Sequence, residues 1–300
     1  MKVAKVLHNP GAGDEEHSKK ELISLIESNG FECKYSSTKK KRWKDFEPKI
    51  DFLVAAGGDG TVRKVAKQVL DRKVLDRDWP IALLPLGTAN NIASTLGITG
   101  STEEIIQSWH SDRRKKFDVG KIHHEGDKEA NFFLEAVGYG IFPYLMLEMK
   151  KQDKELIEDP QQKMQAALEL LHQIVLAYEP RHCELVVDGI NLSGKLLLVE
   201  ILNTRSIGPN LVLAPDADPG DGEFEVVLVP AEHKERFASY VLSKMGGAEE
   251  TFAFQTFKGR NIRMSWEGTH FHVDDKVNKL ATGSEVLIEL KEGLVEFLVP

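Results

Sequence analysis

The sequence predicts an α/β domain followed by a mainly β domain. Strands and helices alternate through the first third of the chain, which is typical of a parallel sheet covered on both faces. After about Phe117 the chain becomes a series of short strands separated by turn residues, which favours an antiparallel β-sandwich. A length of 300 residues suits one or two domains with a sizeable core.

Four apolar segments of the first domain predict strands, namely KVAKVLHN, FECKYSS, DFLVAAG and PIALLPLG. The helix after the first strand, EEHSKKELISLIESN, carries an apolar stripe of Leu22, Ile23, Leu25 and Ile26, and Gly30 suits its C-terminal cap. We expect this domain to be Rossmann-like, although the chain has no GxGxxG fingerprint.

The predicted strands of the second domain include KKFDVGKIHH, ANFFLEAVGYG, HCELVVDGI, GKLLLVEILNT, EFEVVLVP and HFHVDD. One long amphipathic helix, DPQQKMQAALELLHQIVLAYEP, interrupts them. The last strands, EVLIEL and LVEFLVP, fit either domain.

Composition excludes some classes of function. A formal net charge of −8 argues against a general nucleic-acid binder. The two cysteines, Cys33 and Cys183, lack metal or CxxC spacing and suggest buried thiols in a reducing compartment. No apolar run is long enough to span a membrane, and the N-terminal segment predicts a strand rather than a signal peptide. We therefore expect a cytoplasmic protein.

Three loops follow strands of the first domain: HNPGAGD (8–14), GGDGT (57–61) and PLGTANN (85–91). In an open parallel sheet, ligands bind at the carboxyl ends of strands, so the loops are expected to converge on one phosphate-bearing ligand. Asp59 is unexpected in such a loop, because a carboxylate repels phosphate unless a metal ion lies between them.

The pairing of GGDGT with PLGTANNIA resembles the diacylglycerol kinase catalytic domain family, which includes bacterial lipid kinases and the sphingosine and ceramide kinases. The segments NFFLEAVGYG, LLLVEILNTRSIGPNLVLAPDADPGDGEFEVVLV and LVEFLVP are similar to family segments in the same order, so the resemblance covers nearly the whole chain. It implies an ATP-binding domain at 1–116 with a returning segment at 285–300. It also implies a lipid-binding domain at 117–284 and an active site in the cleft between the two.

The resemblance implies which residues hold ATP. They are Asn9, Gly11, Gly13, Thr38, Gly57, Gly58, Asp59, Gly60, Thr61, Gly87, Thr88 and Asn91. Asp59 would face the triphosphate through Mg²⁺, whose charge turns repulsion into bridging. The alternative is a carboxylate that stabilises its own turn by bonding the local backbone.

The segment DADPGDGEF (216–224) concentrates carboxylates in a glycine-bearing loop, which suits a hard cation with oxygen ligands. The resemblance implies a structural magnesium ion there, with Asp218, Asp221 and Glu223 as ligands, the last through its backbone carbonyl. The alternative is a solvated acidic turn.

The segment HFHVDDKVNK (270–279) departs from the family. The family reads Asp-Gly-Glu where this chain reads Asp274-Asp275-Lys276, and the family's acidic residues are linked to proton abstraction. A lysine is protonated at neutral pH unless burial lowers its pKa strongly. We therefore expect Asp274 or Asp275 to act as the general base, with Asp274 preferred. The alternatives are that Lys276 grips an anionic substrate, or that the segment is a plain surface hairpin.

The chain also departs from the family in the segment after the second strand and in the segment after Tyr139. After the second strand the family normally has a helix, often preceded by a threonine that contacts ATP, whereas this chain has a short basic segment broken by Pro48. Its basic cluster KKKRWK (39–44) suits a solvated loop, or contact with anionic membrane or phosphate. The family often carries an aspartate after the glycine-aromatic pair, where this chain has Gly140-Ile141.

Together these features predict an ATP- and Mg²⁺-dependent kinase of a lipid hydroxyl such as that of diacylglycerol, acting in phospholipid metabolism. The expected partners are the lipid substrate and, peripherally, the inner membrane surface, and a homodimer is compatible with the sequence. Two alternatives stay open: a kinase of a soluble acceptor, similar to NAD kinases, and a non-catalytic nucleotide or lipid sensor whose base motif has decayed.

Overall fold

The computed structural model describes residues 1–12, 18–40, 49–71, 79–125, 131–151, 159–247, 252 and 254–300. They divide into two units, Met1–Phe117 with Glu292–Pro300, and Asp118–Lys291. The chain crosses between the units twice, each time within a strand, namely Arg114–His124 and Val286–Leu298. The first unit is α/β and the second is mainly β, as predicted from the sequence.

The helices are α1 (Lys19–Ser28), α2 (Asp59–Leu70), α3 (Asn91–Thr95), α4 (Thr102–Ser108), α5 (Ile141–Lys151), α6 (Pro160–Ala177) and α7 (Lys234–Met245). The strands to residue 202 are β1 (Val3–His8), β2 (Glu32–Ser37), β3 (Phe52–Gly57), β4 (Ile81–Pro85), β5 (Arg114–His124), β6 (Asn131–Phe133), β7 (Ala136–Gly140), β8 (Arg181–Val187), β9 (Ile190–Asn191) and β10 (Gly194–Leu202). The remaining strands are β11 (Ser206–Ile207), β12 (Leu211–Val212), β13 (Phe224–Pro230), β14 (Gln255–Gly259), β15 (Asn261–Trp266), β16 (His270–Val273), β17 (Lys276–Lys279) and β18 (Val286–Leu298).

The sheet of the first unit is parallel, in the order β2-β1-β3-β4, with the end of β18 beside β4. Strand β3 is buried along its whole length, as expected of a strand covered on both faces. Helix α1 starts at a capping box formed by Ser18 and Glu21. Its buried face is narrower than the predicted stripe, because only Leu22 and Ile26 are fully enclosed.

The second unit is an antiparallel sheet. Strand β7 lies between β10 and β16, and β16 continues to β17. On the other side β10 pairs with β8 and β13, and β8 pairs with β15, which pairs with β18. Helix α5 packs on β7 and β16 and also contacts α6, which packs against α7.

Two predictions of local structure need correction in the second unit. ANFFLEAVGYG forms two strands rather than one, since the backbone of Leu134, Glu135 and Ala136 turns away to bond the side chain of Asp274. Helices α5 and α7 were not predicted. The start of α5, IFPYLML, is almost continuously apolar, so it carries no helical alternation of polar and apolar residues. The long helix α6 was predicted correctly and begins at Asp159, whose side chain accepts from the backbone N–H of Gln161.

Among the helices that the structure describes, none is both long and apolar enough to cross a membrane.

Candidate functional site

The structure brings three sequence-predicted loops to one edge of the first sheet. His8 lies opposite Ala56, and Gly57 lies opposite Pro85, so β1, β3 and β4 end side by side. Backbone bonds join the loops just beyond the strands, with the N–H of Asn9 donating to Ala56 and that of Leu86 donating to Gly57. Asn9 and the GGDGT and PLGTANN loops therefore lie next to one another.

GGDGT joins β3 directly to helix α2. Gly58 is the N-cap residue and Asp59 the first helical residue, so the backbone N–H groups of the first turn of α2 lie in this loop. The buried Thr61 donates its N–H to the carbonyl of Gly58, and its hydroxyl lies 2.5 Å from where a Cβ on Gly57 would stand. A helix N-terminus with small residues in front of it suits the binding of an anion such as phosphate.

The Asp59 carboxylate joins the second loop to the third. One oxygen, Oδ2, accepts the backbone N–H of Asn91 at 2.9 Å, and Oδ1 accepts that of Ile92 at 3.0 Å. These N–H groups belong to the first turn of helix α3, so the carboxylate caps a helix distant in sequence. The sequence analysis considered a bond from Asp59 to the backbone of its own turn, but it did not consider the backbone of α3 as the partner.

Asn90, which the sequence analysis did not single out, builds the third loop. It has a left-handed backbone, with φ of 53°, which asparagine tolerates better than most residues. Its side-chain oxygen accepts the N–H of Gly87 at 3.0 Å, and its amide nitrogen donates to the carbonyls of Gly87 at 2.6 Å and Pro85 at 3.3 Å. In the sequence, the pair Asn90-Asn91 after Gly87 was the feature that could have indicated this role.

Gly58 and Gly87 let the second and third loops approach at backbone distance. A Cβ added to Gly87 would lie 2.5 Å from the Cα of Gly58 and 2.8 Å from Oδ1 of Asn90. Neither neighbour is the flexible end of a long side chain, so a larger residue at 87 must push the two loops apart.

If these loops hold ATP, as the sequence predicts, we expect Gly87→Ala to lower the affinity for ATP at least about tenfold, because a shift of about 1 Å in a positioning loop costs that much or more. Isothermal titration calorimetry with ATP measures it. Gly194→Ala is the matched control, since its added Cβ meets nothing closer than a leucine methyl at 4.0 Å. Unchanged ATP affinity in Gly87→Ala would mean that the two loops do not share the ligand.

The first loop and Thr38 lie at the same edge. The backbone N–H of Thr38 donates to the carbonyl of His8, which places Thr38 at the end of β2 beside Asn9. The Asn9 side chain accepts from the N–H of Gly11, and the Lys39 ammonium lies 3.4 Å from where a Cβ on Gly11 would stand. Gly13 and residues 41–44 of the basic cluster lie outside the described residues.

The acidic loop 216–224 of the second unit is held by its own backbone. Asp218 accepts the N–H of Gly220 and Asp221 accepts that of Glu223, both at 3.0 Å. Asp118, which the sequence analysis did not select, is buried, accepts the N–H of Gly222 and donates its own N–H to the carbonyl of Pro219. The predicted ligands Asp218, Asp221 and Glu223 thus lie in one loop anchored by a fourth carboxylate.

A lysine ammonium pairs with two carboxylates of this loop and with Glu225 of the following strand, β13. Lys258 Nζ lies 2.8 Å from Asp221, 3.4 Å from Glu225 and 3.6 Å from Glu223, measured to carboxylate oxygens. Its bond to Asp221 raises the pKa of Lys258, while burial raises the pKa of Glu225. Across the described ranges, no three acidic, histidine or cysteine side chains converge in a way that could hold a metal. Lys258 thus pairs with the side chains of Asp221 and Glu223, and the magnesium site at this loop stays a prediction.

We expect Lys258→Met to lower the free energy of unfolding by about 1 kcal/mol, because the half-exposed ion pairs are lost and Glu225 is left without its cation. Melting temperatures with and without MgCl₂, at matched ionic strength, measure the effect. Wild type should be insensitive to Mg²⁺, whereas the variant should be partly restored by it. A wild-type melting temperature that rises with Mg²⁺ in the absence of ATP would instead support the sequence-predicted metal site.

Asp274 begins the two-residue turn between β16 and β17 and has a left-handed backbone, with φ of 50°. Its Oδ1 accepts the N–H groups of Leu134, Glu135 and Ala136 at 2.9–3.2 Å, and its own N–H donates to the carbonyl of Ala136. The carboxylate is therefore fixed in a nest of backbone donors, an arrangement suited to holding a negative charge.

The two residues after Asp274 in the Asp274-Asp275-Lys276 segment, here called the DDK turn, are exposed. Asp275 follows Asp274 in the turn, and Lys276 begins β17. The turn thus presents a fixed carboxylate, an exposed carboxylate and an exposed ammonium, which are groups able to accept a proton or to bind an anion.

Comparison with known proteins matches both units. Residues 3–122 match the model of the diacylglycerol kinase catalytic domain, and residues 152–290 match that of the YegS C-terminal NAD kinase beta sandwich-like domain. The chain is 25% identical to a diacylglycerol kinase of Bacillus subtilis (strain 168), over 76% of this chain and 74% of that protein. It is 27% identical to a probable lipid kinase YegS-like of Enterobacter sp. (strain 638), over 61% of this chain and 58% of that protein.

Solved structures show the same fold. A diacylglycerol kinase structure from Bacillus anthracis str. Sterne superimposes with a TM-score of 0.70 at 19% identity, covering 100% of this chain and 97% of the other. A yeast NADH kinase complexed with NADH gives a TM-score of 0.51 at 9% identity, covering 100% and 84%. The predicted fold class, a Rossmann-like domain followed by a β-sandwich, is confirmed. The motifs, the fold and both domain matches agree: residues 3–122 match a diacylglycerol kinase catalytic domain, and the chain is similar along most of its length to proteins named diacylglycerol kinase and probable lipid kinase.

Proposed function

We propose that this protein transfers the γ-phosphate of ATP to the hydroxyl group of a lipid such as diacylglycerol, with Mg²⁺. The observation that carries the proposal is the bridge from Asp59 to the backbone of Asn91 and Ile92, which ties the GGDGT loop to the PLGTANN loop. Two helix N-termini, those of α2 and α3, thereby meet at one carboxylate at the carboxyl edge of the sheet.

The nucleotide end of the proposed reaction uses backbone donors. Phosphoryl transfer depends mainly on positioning and on neutralising the charge of the phosphates. In this proposal the glycine turn at residues 57–58 admits the phosphates to the α2 N-terminus. Mg²⁺ bound with ATP supplies the compensating positive charge, and Asp59 is the carboxylate of these loops that would face it.

At the acceptor end we propose that Asp274 takes the proton of the lipid hydroxyl. A general base must be held at hydrogen-bond distance from its proton, and three backbone N–H groups fix this carboxylate. Asp275, exposed in the same turn, is the second candidate base.

The test is a kinase assay with purified protein, γ-labelled ATP, Mg²⁺ and a panel of diacylglycerol, sphingoid, glycerol-lipid and NAD acceptors. We expect label in an organic-phase product, and none with Asp59→Ala. Label only in NADP would favour the soluble-acceptor kinase, whose family shares this fold. Measurable ATP binding without label in any product would favour a non-catalytic sensor. Either of these outcomes would refute the lipid kinase proposal.

We also propose peripheral contact with the inner surface of the membrane from the cytoplasm, because a lipid acceptor must be reached there. Co-sedimentation with vesicles of anionic phospholipid, compared with neutral vesicles, tests the contact. Sedimentation velocity tests the homodimer that the sequence leaves open.

A further inference from the structure

Glu200 and His272 form a buried pair in the core of the second unit. The side chains are 0% and 1% exposed, and Nε2 of His272 lies 2.7 Å from Oε2 of Glu200. His272 carries no sequence-based prediction. A buried ionisable pair is costly unless its geometry is good and its hydrogen bonds are satisfied, so this one requires an explanation.

The pair reaches across a whole strand. Glu200 on β10 and His272 on β16 both lie opposite Gly138 of β7, which stands between them. A Cβ on Gly138 would overlap the carboxylate of Glu200. The glycine therefore opens the space through which the two side chains meet.

The second nitrogen of the imidazole supports the DDK turn. His272 Nδ1 lies 3.1 Å from the backbone carbonyl of Asp274. A carbonyl only accepts, so Nδ1 carries the hydrogen and donates. The residue it holds has a left-handed backbone and uses its side chain to bind three amides of the β6–β7 connection. The imidazole thus braces the backbone of the residue that carries the proposed base.

These two bonds require one more proton than the fully deprotonated pair contains. With Nδ1–H donating to Asp274, the contact from Nε2 to Glu200 needs a proton on the imidazole or on the carboxyl. If Glu200 and His272 lose this proton, the unprotonated imidazole nitrogen points its lone pair at an acceptor oxygen. One of the two hydrogen bonds then breaks. The other carboxyl oxygen of Glu200, Oε1, is buried and has no hydrogen-bond partner among the described residues, which disfavours a fully charged carboxylate.

We propose that Glu200 and His272 are positioning residues that share one retained proton and thereby hold the Asp274 turn in its working conformation. The functional part of this inference rests on the proposed kinase activity, in which Asp274 is the base. The structural part, a protonated Nδ1 bonded to the turn, stands without it.

The surroundings of the pair agree with a retained proton. Burial raises the pKa of Glu200 against the opposing effect of His272. Burial lowers the pKa of His272, but the Glu200 carboxylate, their hydrogen bond and Asp274 raise it more, so the net shift is upward. The strand neighbours Gly138 and Val277 do not titrate, and helix α5 presents Phe142 to the imidazole. Because both pKa values are raised on folding, the pair stabilises the protein at and below the ordinary histidine pKa, and this contribution is lost as the pH rises through the folded pKa.

Glu200→Gln and Glu200→Leu form the informative pair of variants. Glutamine can donate its amide N–H to Nε2 while Nδ1 still donates to Asp274, so it keeps both bonds without an ionisable proton. Leucine keeps the volume and removes the bond. In kinase assays at pH 7 we expect Glu200→Leu to lower kcat about tenfold or more with the KM for ATP within about twofold, and Glu200→Gln to restore at least about a third of kcat.

The pH dependence separates positioning from mere packing. Wild-type kcat and melting temperature should both fall above the pH at which the pair loses its proton, and Glu200→Gln should lack that fall. His270→Gln, on the same strand but outside the pair, should keep the wild-type profile. Full turnover in Glu200→Leu, or the same alkaline fall in Glu200→Gln as in wild type, would overturn the proposal.

A readout independent of turnover is the imidazole ¹⁵N spectrum of histidine-labelled protein, assigned with His272→Gln. We expect Nδ1 of His272 to be protonated at pH 7 and to stay so as the pH is raised above the ordinary histidine pKa. An unprotonated Nδ1 would refute the proposed role of Glu200 and His272 even if the enzyme is active. A protonated Nδ1 in a protein that phosphorylates no acceptor would uphold the pair and refute the kinase proposal alone.

Discussion

Replacing Asp59 with alanine is expected to reduce kinase turnover about 10²–10³-fold, the scale of losing a group that stabilises charge in the transition state. It should also lower the free energy of unfolding by about 2–4 kcal/mol, because two backbone N–H groups lose a charged acceptor. Both effects follow from one carboxylate that bonds the first turn of α3 and, in the proposed reaction, faces Mg²⁺.

Asp59→Asn separates these two contributions. The amide oxygen can still accept one of the two N–H groups, whereas the amide nitrogen opposes the other. Stability should therefore fall by about half as much as in alanine, yet turnover should be lost to a similar extent because the negative charge is gone. Urea unfolding and the acceptor-panel assay measure the two effects.

Asp71→Asn is the matched control for Asp59, since it lies at the C-terminal end of the same helix in an exposed pair with Lys67. Its stability should change by less than about 0.5 kcal/mol and its turnover should stay at the wild-type level. Wild-type turnover in Asp59→Asn would show that the carboxylate serves only as the link between loops.

The second large effect is expected at Asp274. Asp274→Asn should lower turnover at least about 10²-fold, because an amide cannot take a proton from the acceptor hydroxyl. ATP affinity should stay within about twofold, since the nucleotide loops belong to the other unit. The amide oxygen can replace Oδ1 as acceptor for the three N–H groups, so we expect a loss of only about 1–2 kcal/mol in stability.

Asp275→Asn is the adjacent control in the same turn. It is exposed, and we expect its stability and turnover to remain near wild type. If Asp274→Asn keeps its turnover and Asp275→Asn loses it, the base is Asp275. If Asp274→Asn unfolds at the assay temperature, the main role of the carboxylate is to accept the backbone N–H groups that stabilise the turn. ATP binding by Asp274→Glu then shows whether a variant that keeps the carboxylate is folded.

Local sequence was enough to predict the elements of the first unit. The run Val54–Ala56, the glycine pair after it and the apolar spacing that begins at Val62 predict a strand, a turn and a helix, because each depends on residues a few positions apart. The carboxyl ends of parallel strands then had to meet at one edge. The confluence of the three loops therefore followed from the predicted topology.

The partners of the polar side chains could not be predicted in the same way. Asp59 bonds a helix more than thirty residues away, and Asp274 bonds amides about 140 residues away. Lys258 reaches Asp221 of the acidic loop from a different strand, a partner that the run of carboxylates alone does not indicate. Such pairings depend on strand register, which periodicity does not specify.

Glu200 and His272 show the same limit more sharply. Glu200 stands in the otherwise apolar end of β10, and His272 stands in β16 beside the Asp274 segment, but nothing in the local sequence of either residue points to the other. Only the register that sets both opposite Gly138 reveals the pair.

The return of β18 to the first unit has a consequence during synthesis. Phe297 pairs beside Ile81, and its ring contacts Phe117, so the first sheet is finished by residues beyond position 292. While the ribosome is still translating the second unit, β4 presents an open edge that can pair with another chain. A truncation before residue 292 keeps this edge open, so we expect it to aggregate rather than yield a folded N-terminal fragment.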